Sequence, residues 1–243
     1  MAGREVSLPA ILPFPEPMNN YQRMQEDARR RFLTYDPGAY RGKPGVILNE
    51  DGISTAFLGE TVTISLKTGE IAFPDRKADF RESLCLYDWL CDGSRFAVPG
   101  REFAPVSSLP GVLVRGSGLS MDTRDLAYKI EGDADGFSRT CRRMGGRLAL
   151  GGDLAFEIPV FADLTMVIKF YLGDDEFPPD CVLLWDRNIL QYIRYETVYY
   201  LAGCLCARLE KGMAEESGAA DPEQLFTGEA VTFAYPAEGL DIN

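Results

Sequence analysis

The sequence predicts an α+β fold, a single domain in which substantially antiparallel sheets pack with about four helices. Three observations carry this. Residues 46–73 read as a meander of four short strands. Residues 148–185 hold a second group of strand-like segments around one long apolar run. Four further segments carry apolar residues at helical spacing. The chain has 243 residues, 46% hydrophobic and 26% charged, which is enough to bury a substantial core.

Residues 1–17 hold Pro9, Pro13, Pro15 and Pro17 and read as an extended arm; their apolar run is too short and broken for a signal peptide. Tyr21, Met24, Ala28 and Phe32 then mark one face of a helix over 19–35, capped by Asn19 or Asn20. Arg29, Arg30 and Arg31 near its end complement the helix dipole as a solvated face, with an anion site as the alternative. Val46–Leu48, Ile53–Leu58, the alternating Thr61–Leu66 and Ile71–Phe73 form the meander, with turns at Asn49–Gly52 and Lys67–Glu70. A helix over 78–92 carries Phe80, Leu84, Tyr87 and Leu90 and ends at Asp92-Gly93, where Gly93 can take a left-handed cap. Residues 93–120 are rich in Gly, Pro and Ser and read as a long connection.

Residues 121–144 are helical but interrupted, because Gly132 and Gly136 weaken the middle. Leu148–Leu150, Leu154–Ile158, Leu164–Leu172 and Cys181–Trp185 are strand-like. The β-branched run Leu164–Leu172 belongs at the centre of a sheet. Asp186 can cap a last helix over 188–213, whose stripe is Val198, Leu201, Ala202, Leu205, Leu209 and Met213. The tail 214–243 is acidic, with one strand-like patch at Ala230–Phe233. The domain proper is therefore 18–213.

Composition excludes several functions. Histidine is absent, so neither haem nor zinc held by His, nor a Ser-His-Asp triad, is available. The net charge of −12 repels phosphate backbones and anionic lipid heads, so neither nucleic acid nor a membrane is expected as a partner. Seven of the carboxylates fall after Gly212, which leaves the rest of the chain mildly acidic. The six cysteines form no Cys-x-x-Cys pair and mostly sit in apolar stretches, as buried reduced thiols do; the cytoplasm is the expected compartment. Neither a phosphate loop nor a Gly-x-Ser-x-Gly elbow is present, and Arg115-Gly116-Ser117-Gly118 completes no fingerprint. Cys204 and Cys206 lie two apart on a helix and point to different sides.

The strongest constellation lies at 151–186. If Leu154–Ile158 and Leu164–Leu172 pair antiparallel, Asp153 and the turn Asp174-Asp175-Glu176-Phe177 fall at one end of the sheet. Three adjacent carboxylates repel one another. They suit a divalent cation held by hard oxygens, with Asp174 and Glu176 as ligands, or one proton held high for acid catalysis. The plainer reading is a solvated turn in which Asp174 bonds its own backbone. Phe177, Trp185 and Tyr171 can wall such a site, while Asp186 belongs to the opposite end.

Gly152–Pro159, Gly173-Asp-Asp-Glu-Phe-Pro178 and Leu183-Leu-Trp-Asp186 leading into the last helix also resemble a bacterial and archaeal family, domain of unknown function 3786. Leu84–Leu90 followed by Pro99–Gly111 fits that family's middle region, and the likeness spans roughly 20–213. The resemblance implies an α+β domain of unknown activity found mostly in anaerobes, some of whose members carry an iron–sulfur segment. This chain lacks the clustered cysteines for such a cluster. No specific reaction is written in the sequence. A non-catalytic module that binds a small molecule or protein in anaerobic cofactor metabolism is the leading expectation. A carboxylate-based, metal-assisted enzyme using the Asp174–Glu176 turn and a structural accessory subunit are the alternatives.

Overall fold

Strand alternation and turn chemistry build two separate antiparallel sheets. The computed structural model describes residues 19–112 and 123–216. The arm 1–17, the Arg115–Gly118 loop and the Ala230–Phe233 patch lie outside the described residues.

The first sheet is the predicted meander. Its strands are β1 (Ile47–Leu48), β2 (Gly52–Phe57), β3 (Glu60–Ser65) and β4 (Ile71–Ala72), paired in that order. Ile53, Phe57, Val62 and Ile64 are buried and point to one face, as period-two alternation requires. Between β2 and β3 only Leu58 and Gly59 turn the chain, at φ values of 47° and 81°. Two consecutive left-handed residues match the twist of a tight hairpin. A Cβ on Gly59 would sit 2.5 Å from the Met144 carbonyl oxygen, so glycine is required there. Leu58 adopts the conformation without that freedom, and its backbone is strained. Burial of its side chain and a 3.0 Å hydrogen bond from its amide to the Val160 carbonyl hold it in place.

The second sheet contains β5 (Phe103–Ala104), β6 (Arg147–Leu148), β7 (Leu154–Pro159), β8 (Thr165–Tyr171) and β9 (Asp180–Asp186). Its order, β5-β9-β8-β7-β6, puts the long β-branched run at the centre, as its composition predicts. The strand β5 comes from the Gly/Pro-rich connection. It is two residues long and pairs with Asp186 and Trp185, too short for periodicity to reveal it.

The helices are α1 (Asn20–Thr34), α2 (Phe80–Cys91), α3 (Arg124–Gly132), α4 (Ala134–Arg143) and α5 (Tyr195–Glu216). Asn19 caps α1 and Asp79 caps α2, each in a reciprocal capping box. The predicted interruption falls at Asp133, which leaves the helical region and caps α4 through the Gly136 amide. The predicted stripe of α5 is buried throughout, and the helix packs against α2 and α4. Phe57 meets Phe161 in a tilted contact at 5.7 Å, Phe161 stacks on Trp89 at 4.5 Å, and the series joins the first sheet to α2. Among the described residues no helix is long and apolar enough to cross a membrane.

Four expectations need correction. Asp186 caps no helix: it ends β9, and its carboxylate accepts from the amides of Gly100, Arg101 and Asn188. These bonds tie down the preceding connection, and a short 3-10 turn, Ile189–Gln191, delays α5 until Tyr195. The same helix continues to Glu216, so the first residues of the acidic tail are helical. Gly93 is not left-handed. It is needed because a Cβ would lie 2.5 Å from the carbonyl oxygens of Trp89 and Tyr192, and the buried Lys43 ammonium caps this helix end through Trp89 and Gly93. Finally, Arg31 is no solvated side chain: it crosses to the buried Asp88 and to Asp92 of the next helix.

Candidate functional site

The acidic end of the second sheet assembles as its strand pairing requires. Leu154 pairs with Phe170, and the Leu172 amide donates to Asp153 Oδ2 at 2.8 Å, so Asp153 and Asp174 share that end. Asp174 Oδ1 accepts from the amides of Glu176 and Phe177, both at 2.8 Å, and the Asp174 amide donates to the Phe177 carbonyl. These backbone donors hold the Asp174 carboxyl below the usual carboxylate range. Asp175, Glu176 and Phe177 are exposed. Trp185 is fully buried at the opposite end, beside Ala104 and Met166, and walls nothing here. Among the described residues no group of three or more His, Cys, Asp or Glu side chains is placed to hold a metal ion.

A concave site lies elsewhere. A cavity of about 510 Å³ opens between the Leu58–Glu60 turn, the segment Arg76–Glu82, the end of α4 and one face of α5. That face is Cys204, Ala207, Arg208, Lys211, Gly212 and Glu215, the three- and four-residue spacing of one helix side. Its lining carries six cationic side chains against four acidic ones, a positive excess in a chain of net charge −12.

Arg208 organises this wall. Its side chain is only 9% exposed. It donates from Nη1 to the carbonyls of Phe57 and Leu58, both at 3.0 Å, and from Nη2 to Glu82 Oε1 at 3.0 Å. Its guanidinium also lies 4.8 Å from the centre of the Phe73 ring. The strained hairpin is therefore held from the cavity side by one arginine of α5. Arg76 grips Glu82 with a fork of 2.6 and 2.8 Å. Burial alone would raise the Glu82 carboxyl. Hydrogen bonds from Arg76, the Asp79 backbone and Arg208 outweigh it and hold the group below the usual range.

Three buried polar atoms of this lining have no hydrogen-bond partner: Nε of Arg208, Nε of Arg81 and Oγ1 of Thr140. An unmet buried donor costs roughly 1–3 kcal/mol. Positive excess, concavity and unmet donors together suit an oxygen-rich anion.

Sequence reasoning missed this site because its residues come from four separated segments and match no local motif. One signal was present: Arg208, Lys211 and Glu215 put charge on a helix face whose other members, Cys204, Ala207 and Gly212, are small. None of Asp153, Asp174, Asp175, Glu176 and Phe177 lines the cavity.

The molecule is thus an α+β protein of two antiparallel sheets with a cation-rich cavity against its longest helix. The chain belongs to the family described as a domain of unknown function, DUF3786, whose model matches residues 36–208. No curated protein and no solved structure matches it.

Proposed function

We propose that the chain is a non-catalytic module that binds a small anionic molecule, carrying carboxylate or phosphate oxygens, in the Arg208 cavity. The observation that carries this reading is a buried arginine, with further unmet donors, on the wall of a cavity of about 510 Å³. That size is ordinary for small-molecule sites. Binding is favoured over catalysis because Glu60 and Glu82 already pair with arginines, and the chain has no histidine to move protons at neutral pH. We take the setting to be anaerobic cofactor metabolism, which the resemblance to a family found mostly in anaerobes supports, and the compartment to be the cytoplasm, which six free cysteines support.

Thermal melting tests the reading. Orthophosphate or succinate should raise the melting temperature above that in sodium chloride of equal ionic strength, because a ligand of the native state stabilises by mass action. An Arg81→Gln, Lys211→Gln double variant should lose the gain while melting within a few degrees of wild type. Equal responses to all three salts would refute anion binding.

A further inference from the structure

Two cysteines face each other across the seam between α2 and α5. Contacts along the seam fix its register. Arg208 Nη2 donates to Glu82 at 3.0 Å, the Cys85 thiol donates to the Thr197 carbonyl at 3.9 Å, and Asp88 accepts from Thr197 and Arg194. Partners that rise along α2 fall along α5, so the two helices run antiparallel. One turn on from Glu82 stands Cys85, and one turn back from Arg208 stands Cys204. The register therefore sets these two side chains opposite each other. Full burial and the neighbouring Cys204 sulfur push the Cys85 thiol up, so it stays protonated. All six cysteines are free thiols, and Cys204 alone among them lines the cavity.

We infer that Cys204 and Cys85 form a reactive dithiol, at which a small peroxide entering the cavity is reduced while the pair closes to a disulfide. Cys204 Sγ attacks one peroxide oxygen. The O–O bond breaks, the S–O bond of a sulfenic acid forms, and the water or alcohol that leaves carries the thiol proton. Cys85 Sγ then attacks Cys204 Sγ. The S–S bond forms, the S–O bond breaks, and the hydroxyl departs as water with the Cys85 proton. Two thiols together give up two electrons, and the peroxide takes them. Access assigns the roles: the cavity brings the oxidant to Cys204, and the enclosed Cys85 resolves. A thiol reductant reopens the bond by exchange at Cys204, as suits a transient disulfide in a reducing compartment. The oxidant is uncharged and needs no cation of the wall, so the inference stands or falls apart from the anion reading.

Disulfide mapping tests it. The reduced full chain is treated with hydrogen peroxide, the remaining thiols are capped with N-ethylmaleimide, and the digest is read by mass spectrometry. Fragment spectra separate Cys85 from Cys91 and Cys204 from Cys206. The expected product is one crosslink, Cys85 to Cys204, with loss of two hydrogen atoms and full reversal by dithiothreitol. Cys141, Cys181 and Cys206 should remain thiols. Cys85→Ser should stop the reaction at a Cys204 sulfenic acid that dimedone captures, while Cys204→Ser should leave Cys85 reduced. An unchanged melting temperature verifies that the variants are folded, and if either is not, the wild-type crosslink decides alone. A crosslink between other cysteines, a Cys204 sulfenic acid that persists in the wild type, or six intact thiols in excess peroxide would each overturn the inference.

Discussion

Replacing Arg208 with methionine removes a charge from the cavity wall and leaves the apolar stem that packs on Phe57 and Phe73. The Phe57 and Leu58 carbonyls lose this donor, and Glu82 Oε1 loses one of its two, keeping Arg76. Each unmet buried acceptor costs roughly 1–3 kcal/mol. Glu82 keeps the Arg76 fork and the Asp79 amide, so the total should resemble a partly broken buried ion pair, about 3–5 kcal/mol. For a chain of this size that corresponds to a fall in melting temperature of about 10 °C. The pH dependence carries a second signature. The Glu82 carboxyl is depressed in the folded protein, so its contribution is complete above the unfolded value, about pH 4.3, and is lost as pH falls through the folded one. Loss of Arg208 forfeits part of that contribution. The gap between wild type and variant should therefore be widest at neutral pH and narrow below about pH 4. Scanning calorimetry at several pH values, with Arg187→Met as a surface control, measures both. The control should shift stability by no more than ~1 kcal/mol, since Arg187 and Glu102 form an exposed pair. If Arg208→Met melts within two or three degrees (about 1 kcal/mol) of wild type, the arginine does not hold the hairpin and the argument fails.

Three other outcomes follow from the geometry. Asp88→Asn should cost about 2–4 kcal/mol, because the buried carboxylate is shared by Arg31, Arg194 and Thr197; burial pushes this carboxyl up, but those partners hold it below its ordinary value. The variant should accordingly lose less stability than wild type in urea melts as pH drops below about 4. Gly59→Ala should destabilise by about 2–4 kcal/mol in denaturant titration, through its left-handed backbone and the Met144 carbonyl in the way of a Cβ; a change under ~0.5 kcal/mol would contradict the turn geometry. The Asp174→Asn, Glu176→Gln double variant decides the function of the acidic turn: a cation site predicts that calcium, magnesium or manganese stabilises wild type and not the variant, whereas a self-bonded turn predicts no response from either.

Much of the fold could be read from residue spacing, and the reason is local. Thr61–Leu66 alternates and so builds β3; the β-branched run 164–172 buries Met166, Ile168 and Phe170 on one face and Val167 on the other, and becomes the central β8. What spacing could not show was set by partners far along the chain. Asp186 looks like a helix cap by its position, but amides 85 and 86 residues away claim its carboxylate. Arg31 looks solvated until α2 brings Asp88 beside it. The acidic turn was conspicuous because its carboxylates are adjacent in sequence. The cavity was not, because Arg76, Arg81, Arg143 and Arg208 meet only when α2, α4 and α5 pack. The cavity is a product of long-range assembly, and the charges on α5 were its only trace in the sequence.

The most direct test of the central claim is anomalous diffraction from crystals of this protein equilibrated with arsenate, which has the shape and charge of phosphate. The account predicts an arsenic peak inside the cavity, with oxygens within hydrogen-bond distance of Arg208 or Arg81 and lost in the Arg81→Gln, Lys211→Gln variant. Peaks confined to the outer surface, with the cavity holding only solvent at saturating arsenate, would contradict it.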